Sequence, residues 1–132
     1  MASPFADYVV LADVPALSAG AKPVTVAFNV PVAVQPSGDQ RPILFFIVNA
    51  SGNADLAYMI EINGTPILPL PWTFKSPQPQ GLGVGYWVPF DVNPHSTSSA
   101  HINVGANTAT FSVTSGSGNI AFQSVVLMFQ HS

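Results

Sequence analysis

Between residues 24 and 34, Val24, Val26, Phe28, Val30, Val32 and Val34 alternate with Thr25, Ala27, Asn29, Pro31 and Ala33. A period of two puts the first set on one side of a pleated strand, whereas a helix needs a spacing near 3.6. Pro31 cannot donate to a ladder, so this strand is expected at a sheet edge or broken there by a bulge. Turn residues Pro36, Ser37, Gly38 and Asp39 follow it. Residues 43–48 are uniformly apolar and bounded by Pro42 and a second turn cluster, Asn49 to Asn53. So short a run fits a central strand covered on both faces.

Leu56, Tyr58, Ile60 and Ile62 alternate with Ala57, Met59 and Glu61 and run into Asn63 and Gly64. That pair, placed between apolar runs, predicts a hairpin with a type I′ turn, because both residues tolerate positive φ. Five prolines at 66, 69, 71, 77 and 79 then predict an irregular loop carrying Trp72, Phe74 and Lys75. An extended pattern resumes over residues 86–92 and turns at Asn93, Pro94 and His95. A short extended segment over 100–104 leads through a tight turn at Gly105, Ala106 and Asn107 into a strand over 108–113, with Ala109, Phe111 and Val113 facing inward. Ser115 to Gly118 reads as another turn.

The final segment, 119–129, changes phase. Ile120 and Phe122 share one face, but Val125, Leu127 and Phe129 fall on the same side only if a bulge lies near Gln123 and Ser124. With residues 8–14, the pattern predicts eight or nine short strands and no sustained helical spacing. The expected fold is all-β, an antiparallel two-sheet β-sandwich of jelly-roll type, with residues 1–132 forming a single domain.

Composition sharpens this picture. A chain of 132 residues can bury roughly two-thirds of its unfolded surface, so a core is available without staples. It needs to be, since there is no cysteine to supply disulfides, thiolates or thiolate zinc sites. Charged residues make up 7% of the chain, against 48% apolar ones, where about 25% charged is ordinary. Either neutral polar residues cover the surface, or part of it is buried against identical copies, and a homo-oligomer is the expectation. Three basic residues and a net charge of −3 argue against nucleic acid, which demands a clustered basic footprint. No apolar run is long enough for a membrane helix, and the first residues lack the basic and apolar regions of a signal peptide. Use outside the cell or in a virion stays open.

Residues 101–113, then Gly116 to Gly118, then 120–129, resemble the closing strands of galactose-binding-like jelly rolls, a group that includes many carbohydrate-binding modules. There a strand ending in Gly-x-Asn leads to an alternating strand, a short turn and a final apolar strand. The resemblance covers the C-terminal third and implies a jelly-roll fold and sugar binding.

Sugar recognition uses aromatic faces against the apolar face of a pyranose, with polar side chains to read hydroxyls. Trp72, Phe74, Lys75, Tyr86, Trp87 and Asp91, with Gln78 and Gln80 nearby, are the best cluster of this kind. The competing reading makes Trp72 and Trp87 core or subunit-interface anchors. Asp91, Asn93 and His95 alternate as a calcium loop might begin, but lack the glycine and distant glutamate of one, and a side-chain-stabilised turn fits better. His95, His101 and His131 show no zinc spacing. No Gly-x-Ser-x-Gly is present, and the few carboxylates show no pairing, so no enzyme activity, cofactor or metal is expected. The sequence therefore reads as a non-enzymatic, lectin-like carbohydrate-binding module made multivalent by homo-oligomerisation, with a structural self-assembling subunit of a capsid, fibre or shell as the alternative.

Overall fold

A computed structural model describes residues 5–34, 41–50, 53–68, 70–75, 83–90 and 101–131. These form ten strands: β1 (Phe5–Val10), β2 (Val14–Ser18), β3 (Val24–Val30), β4 (Ile43–Ala50), β5 (Asp55–Ile62), β6 (Thr65–Pro66), β7 (Trp72–Lys75), β8 (Val84–Pro89), β9 (Gly105–Ser117) and β10 (Asn119–His131). One sheet runs β1-β10-β4-β8, with β2 also on β10, and the other runs β3-β9-β5-β6, with β7 also on β5. Every pairing is antiparallel.

Segments β1 and β2 share one side of β10, and β6 and β7 share one side of β5. The ten segments thus fill eight positions. Numbering those positions along the chain, the sheets read first-eighth-third-sixth and second-seventh-fourth-fifth, the double Greek key of a jelly roll. Each connection crosses between sheets except the β5–β6 hairpin, whose Asn63 and Gly64 both take positive φ, 49° and 84°.

The phase change in β10 is a bulge. Its pairing with β4 shifts register between Gln123 and Val126, and Ser124 sits at φ 52°. The Ser124 N–H donates to Asp13 Oδ1 at 3.1 Å, and the Val125 carbonyl accepts from Leu11 N at 2.8 Å. Residues 11–13, which separate β1 from β2, therefore close the gap the bulge opens. The strand before Pro31 ends at Val30 and is an edge, as its missing donor requires.

Two expectations are corrected. Within the proline-rich segment expected to be an irregular loop, residues 72–75 are a strand pairing with β5, because Pro71 stands just ahead of the ladder and not in it. At the other, 101–104 is not a strand, and Gly105, Ala106 and Asn107 belong to β9 instead of a turn. Asn107 is buried and bonded on both ends of its amide: its oxygen accepts from Asn103 N and Asn63 Nδ2, and its Nδ2 donates to the carbonyls of Asn103 and Gly105. Asn63 in turn donates to the His101 carbonyl and accepts from Thr108 N. A buried amide that meets every demand ties residues 101–105 to the hairpin turn. It also occupies Asn63, the first residue of the glycosylation-type sequence Asn63-Gly64-Thr65. The turn at Asp39 and the segment 91–100 lie outside the described residues.

Phe46 and Phe122 from one sheet and Tyr58 and Phe111 from the other meet in the middle of the core, with ring centroids 4.8 to 6.3 Å apart among the contacting pairs. The Tyr58 hydroxyl is buried with no hydrogen-bond partner among the described residues. Burial, reinforced by Tyr86, pushes its ionisation far above the usual tyrosine range. The folded state then keeps a proton that the unfolded chain releases above pH ~10, so from this group stability should fall by up to about 1.4 kcal/mol per pH unit there. Tyr58→Phe should remove that slope and leave stability at pH 7 unchanged or slightly higher. Urea titrations of both proteins between pH 7 and pH 11.5 test this, and parallel curves would refute it.

Candidate functional site

Strands β7 and β8 are edge positions of opposite sheets, and the sandwich opens between them. Alternation turns Trp72 and Phe74 of β7, and Val84, Tyr86 and Val88 of β8, toward the interior. Phe74 is buried within the core and offers no face to a ligand. Trp72 and Tyr86 lie nearer the opening and stay half-buried, their rings 5.5 Å apart and edge to face at 62°. Tyr86 rests in turn on Phe46, 5.6 Å away. Leu70, Pro71, Trp72, Thr73 and Tyr86 line a shallow hollow of about 570 Å³ at this edge, with Leu70 71% exposed.

The remaining members of the aromatic cluster expected from sequence lie elsewhere. Lys75 is exposed on β7 opposite Asp55 in the register. Trp87 is 62% exposed on the outer face of the other sheet, tilted against Phe45 at 4.7 Å. Successive residues of one strand point to opposite faces, so Tyr86 and Trp87 cannot serve one site. Asp91, Gln78 and Gln80 lie outside the described residues. The structure thus brings Trp72 and Tyr86 together and sets Phe74, Lys75 and Trp87 apart from them. Leu70 and Thr73 were missed by sequence reasoning, since neither belongs to the inward-facing aromatic set: Leu70 stands ahead of β7, and Thr73 faces the other side of it from Trp72.

Among the described residues, no group of three or more His, Cys, Asp and Glu side chains is placed to hold a metal ion. No helix among them is long and apolar enough to cross a membrane.

No family model and no curated protein matches this sequence. Among solved structures, the chain is similar to a β-porphyranase of glycoside hydrolase family 86 from the human gut bacterium Bacteroides plebeius, with TM-score 0.58 and 16% identity over 95% of this chain and 20% of that one. It is also similar to an insecticidal delta-endotoxin from Bacillus thuringiensis, with TM-score 0.50 and 14% identity over 88% of this chain and 19% of that one. A family 35 carbohydrate-binding module from Clostridium thermocellum aligns at TM-score 0.44 and 19% identity over 96% of this chain and 98% of that one. The likeness is one of fold. The chain spans about a fifth of the length of the first two, and their similarity agrees with the jelly-roll resemblance read from residues 101–129.

Proposed function

We propose that this chain is a non-enzymatic carbohydrate-binding module whose site is the hollow at the β7–β8 edge. The observation that carries the reading is the half-buried Trp72–Tyr86 pair at the mouth of the sandwich. An indole held by a second ring presents an apolar surface at little entropic cost, while the tyrosyl hydroxyl can both donate and accept toward sugar hydroxyls. A small open site of this kind binds weakly alone. Lectin-like use therefore calls for several copies acting together in a homo-oligomer.

On a glycan array the chain is expected to select a defined sugar class, and Trp72→Ala should weaken that signal at least tenfold. The variant's far-ultraviolet dichroism should match the parent, because Trp72 closes an edge and not the centre of the core. Failure to bind any glycan, or full binding by Trp72→Ala, would refute the proposal. The second reading, a structural self-assembling subunit, is favoured by a different observation, the apolar outer surface of the sheet that carries Trp87.

A further inference from the structure

The two sheets differ in what they show to the outside. On the β3-β9-β5 sheet, the outward positions include Thr25, Asn29, Thr108, Thr110 and Ser112, with Thr25 and Thr110 sharing a 3.1 Å hydroxyl hydrogen bond. On the β1-β10-β4-β8 sheet, the register lays down two rows. Val10, Val126, Phe45 and Trp87 are aligned across all four strands, and Tyr8, Met128, Ile43 and Pro89 form the row beside them. The only polar groups on these eight side chains are the Tyr8 hydroxyl and the Trp87 indole N–H. Tyr8 is 64%, Val10 63% and Trp87 62% exposed. Sequence alone suggested a central strand at 43–48 covered on both faces. Within one chain β4 is fully covered on the inner face and half-covered on the outer one.

We infer that this outer face packs against the same face of a second copy, giving a two-fold, sheet-on-sheet dimer. Four strands about 4.8 Å apart and two rows about 6.7 Å apart make the face roughly 19 Å by 13 Å, so two copies would remove on the order of 800 Å² of accessible surface, a small interface that calls for a weak, concentration-dependent dimer. The side chains are those of an interface centre, aromatic and methionine-bearing, and aligned sheets pack readily in this way. Charge does not oppose it. Asp7 and Arg41, one of each sign, adjoin the hollow beside Tyr8, Ile43 and Met128. A membrane surface would instead select for basic side chains, of which the whole chain has three.

The geometry of association is also narrowed by proline. Pro15 lies in β2, Pro23 and Pro31 flank β3, Pro66 and Pro71 stand in or beside β6 and β7, and Pro89 ends β8. Prolines within β2, β6 and β8 each remove a ladder donor, and those flanking β3 and β7 keep these edge strands from lengthening, which disfavours growth by edge pairing and leaves face packing. This inference deepens the homo-oligomeric part of the proposed function and does not depend on sugar binding.

Sedimentation velocity of the full chain from 5 to 200 µM tests it. The parent should approach twice its 13.8 kDa mass at the upper end of that range. Val10→Lys and Trp87→Glu, both at exposed positions, should raise the dissociation constant at least 100-fold while keeping the parent's dichroism and urea midpoint. Ala27→Lys and Thr108→Lys on the polar sheet should leave it within threefold. A parent that stays monomeric at 200 µM, face variants that remain dimeric, or polar-sheet variants that dissociate equally would each overturn the inference. So would a monomer that floats with zwitterionic vesicles or sediments with an insoluble polysaccharide through Trp87. Glycan binding by the dissociated variants reports separately on the Trp72 site.

Discussion

Phe122→Ala is expected to lower the unfolding free energy by about 3–5 kcal/mol, the range for removing a fully buried phenylalanine whose surroundings cannot collapse into the gap. Phe122 lies 4.8 Å from Phe111, 5.4 Å from Tyr58 and 5.8 Å from Phe46, so, like Phe46, it touches rings of both sheets through three aromatic partners. Its neighbours are fixed by two ladders and cannot follow a shrinking side chain inward. Because a domain of this size has roughly 5–15 kcal/mol in hand, the variant should be substantially less resistant to urea. Equilibrium unfolding followed by tryptophan fluorescence measures this, and a loss below about 1 kcal/mol would show that the core does not hinge on this ring.

Gly116→Val should be comparably damaging for a different reason. Gly116 sits at φ 104°, where side-chain-bearing residues are strained. A Cβ there would also meet the backbone of β5, lying 2.5 Å from Leu56 Cα and against the Asp55 carbonyl. Backbone cannot step aside as a flexible side chain can. The expected loss is about 3 kcal/mol or more, with failure of soluble expression as its extreme form. Gly64→Ala is the informative contrast: φ is positive, yet nothing lies within 4 Å of the added atom, so only the conformational penalty of about 1 kcal/mol applies. Thermal melts of the two variants side by side should differ by several degrees, and equal melts would refute the steric account.

Much of the fold was legible because burial on one face imprints a period of two. Leu56 to Ile62, Ala109 to Val113 and the broken phase of 120–129 could each be read directly, and even the bulge had to lie where the inward set changed from even to odd numbers. What could not be read was pairing. Five prolines concealed β7, since a proline next to a strand and a proline within one look alike until the register places Pro71 outside the ladder. Asn107 was read as a turn residue because an asparagine two residues after a glycine suggests one, and its buried amide is met in part by Asn63, 44 positions away. The candidate site suffered most. Neighbours in sequence such as Tyr86 and Trp87 fall on opposite faces, while Trp72 and Tyr86 meet only because edge strands of two sheets happen to adjoin. The eight-residue apolar face was invisible for the same reason, being assembled from four strands spread along the whole chain.

The last segment in chain order, β10, lies in the interior of its sheet, with β4 on one side and β1 and β2 on the other. Synthesis from the N-terminus therefore delivers the keystone after every stone that leans on it. Until residues 119–131 emerge, β1 and β2 lack their sheet partner and one side of β4 is unpaired, so the sandwich closes through contacts spanning more than a hundred residues. Late closure, and sensitivity to loss of the residues after Gly118, follow from where one ribbon was placed.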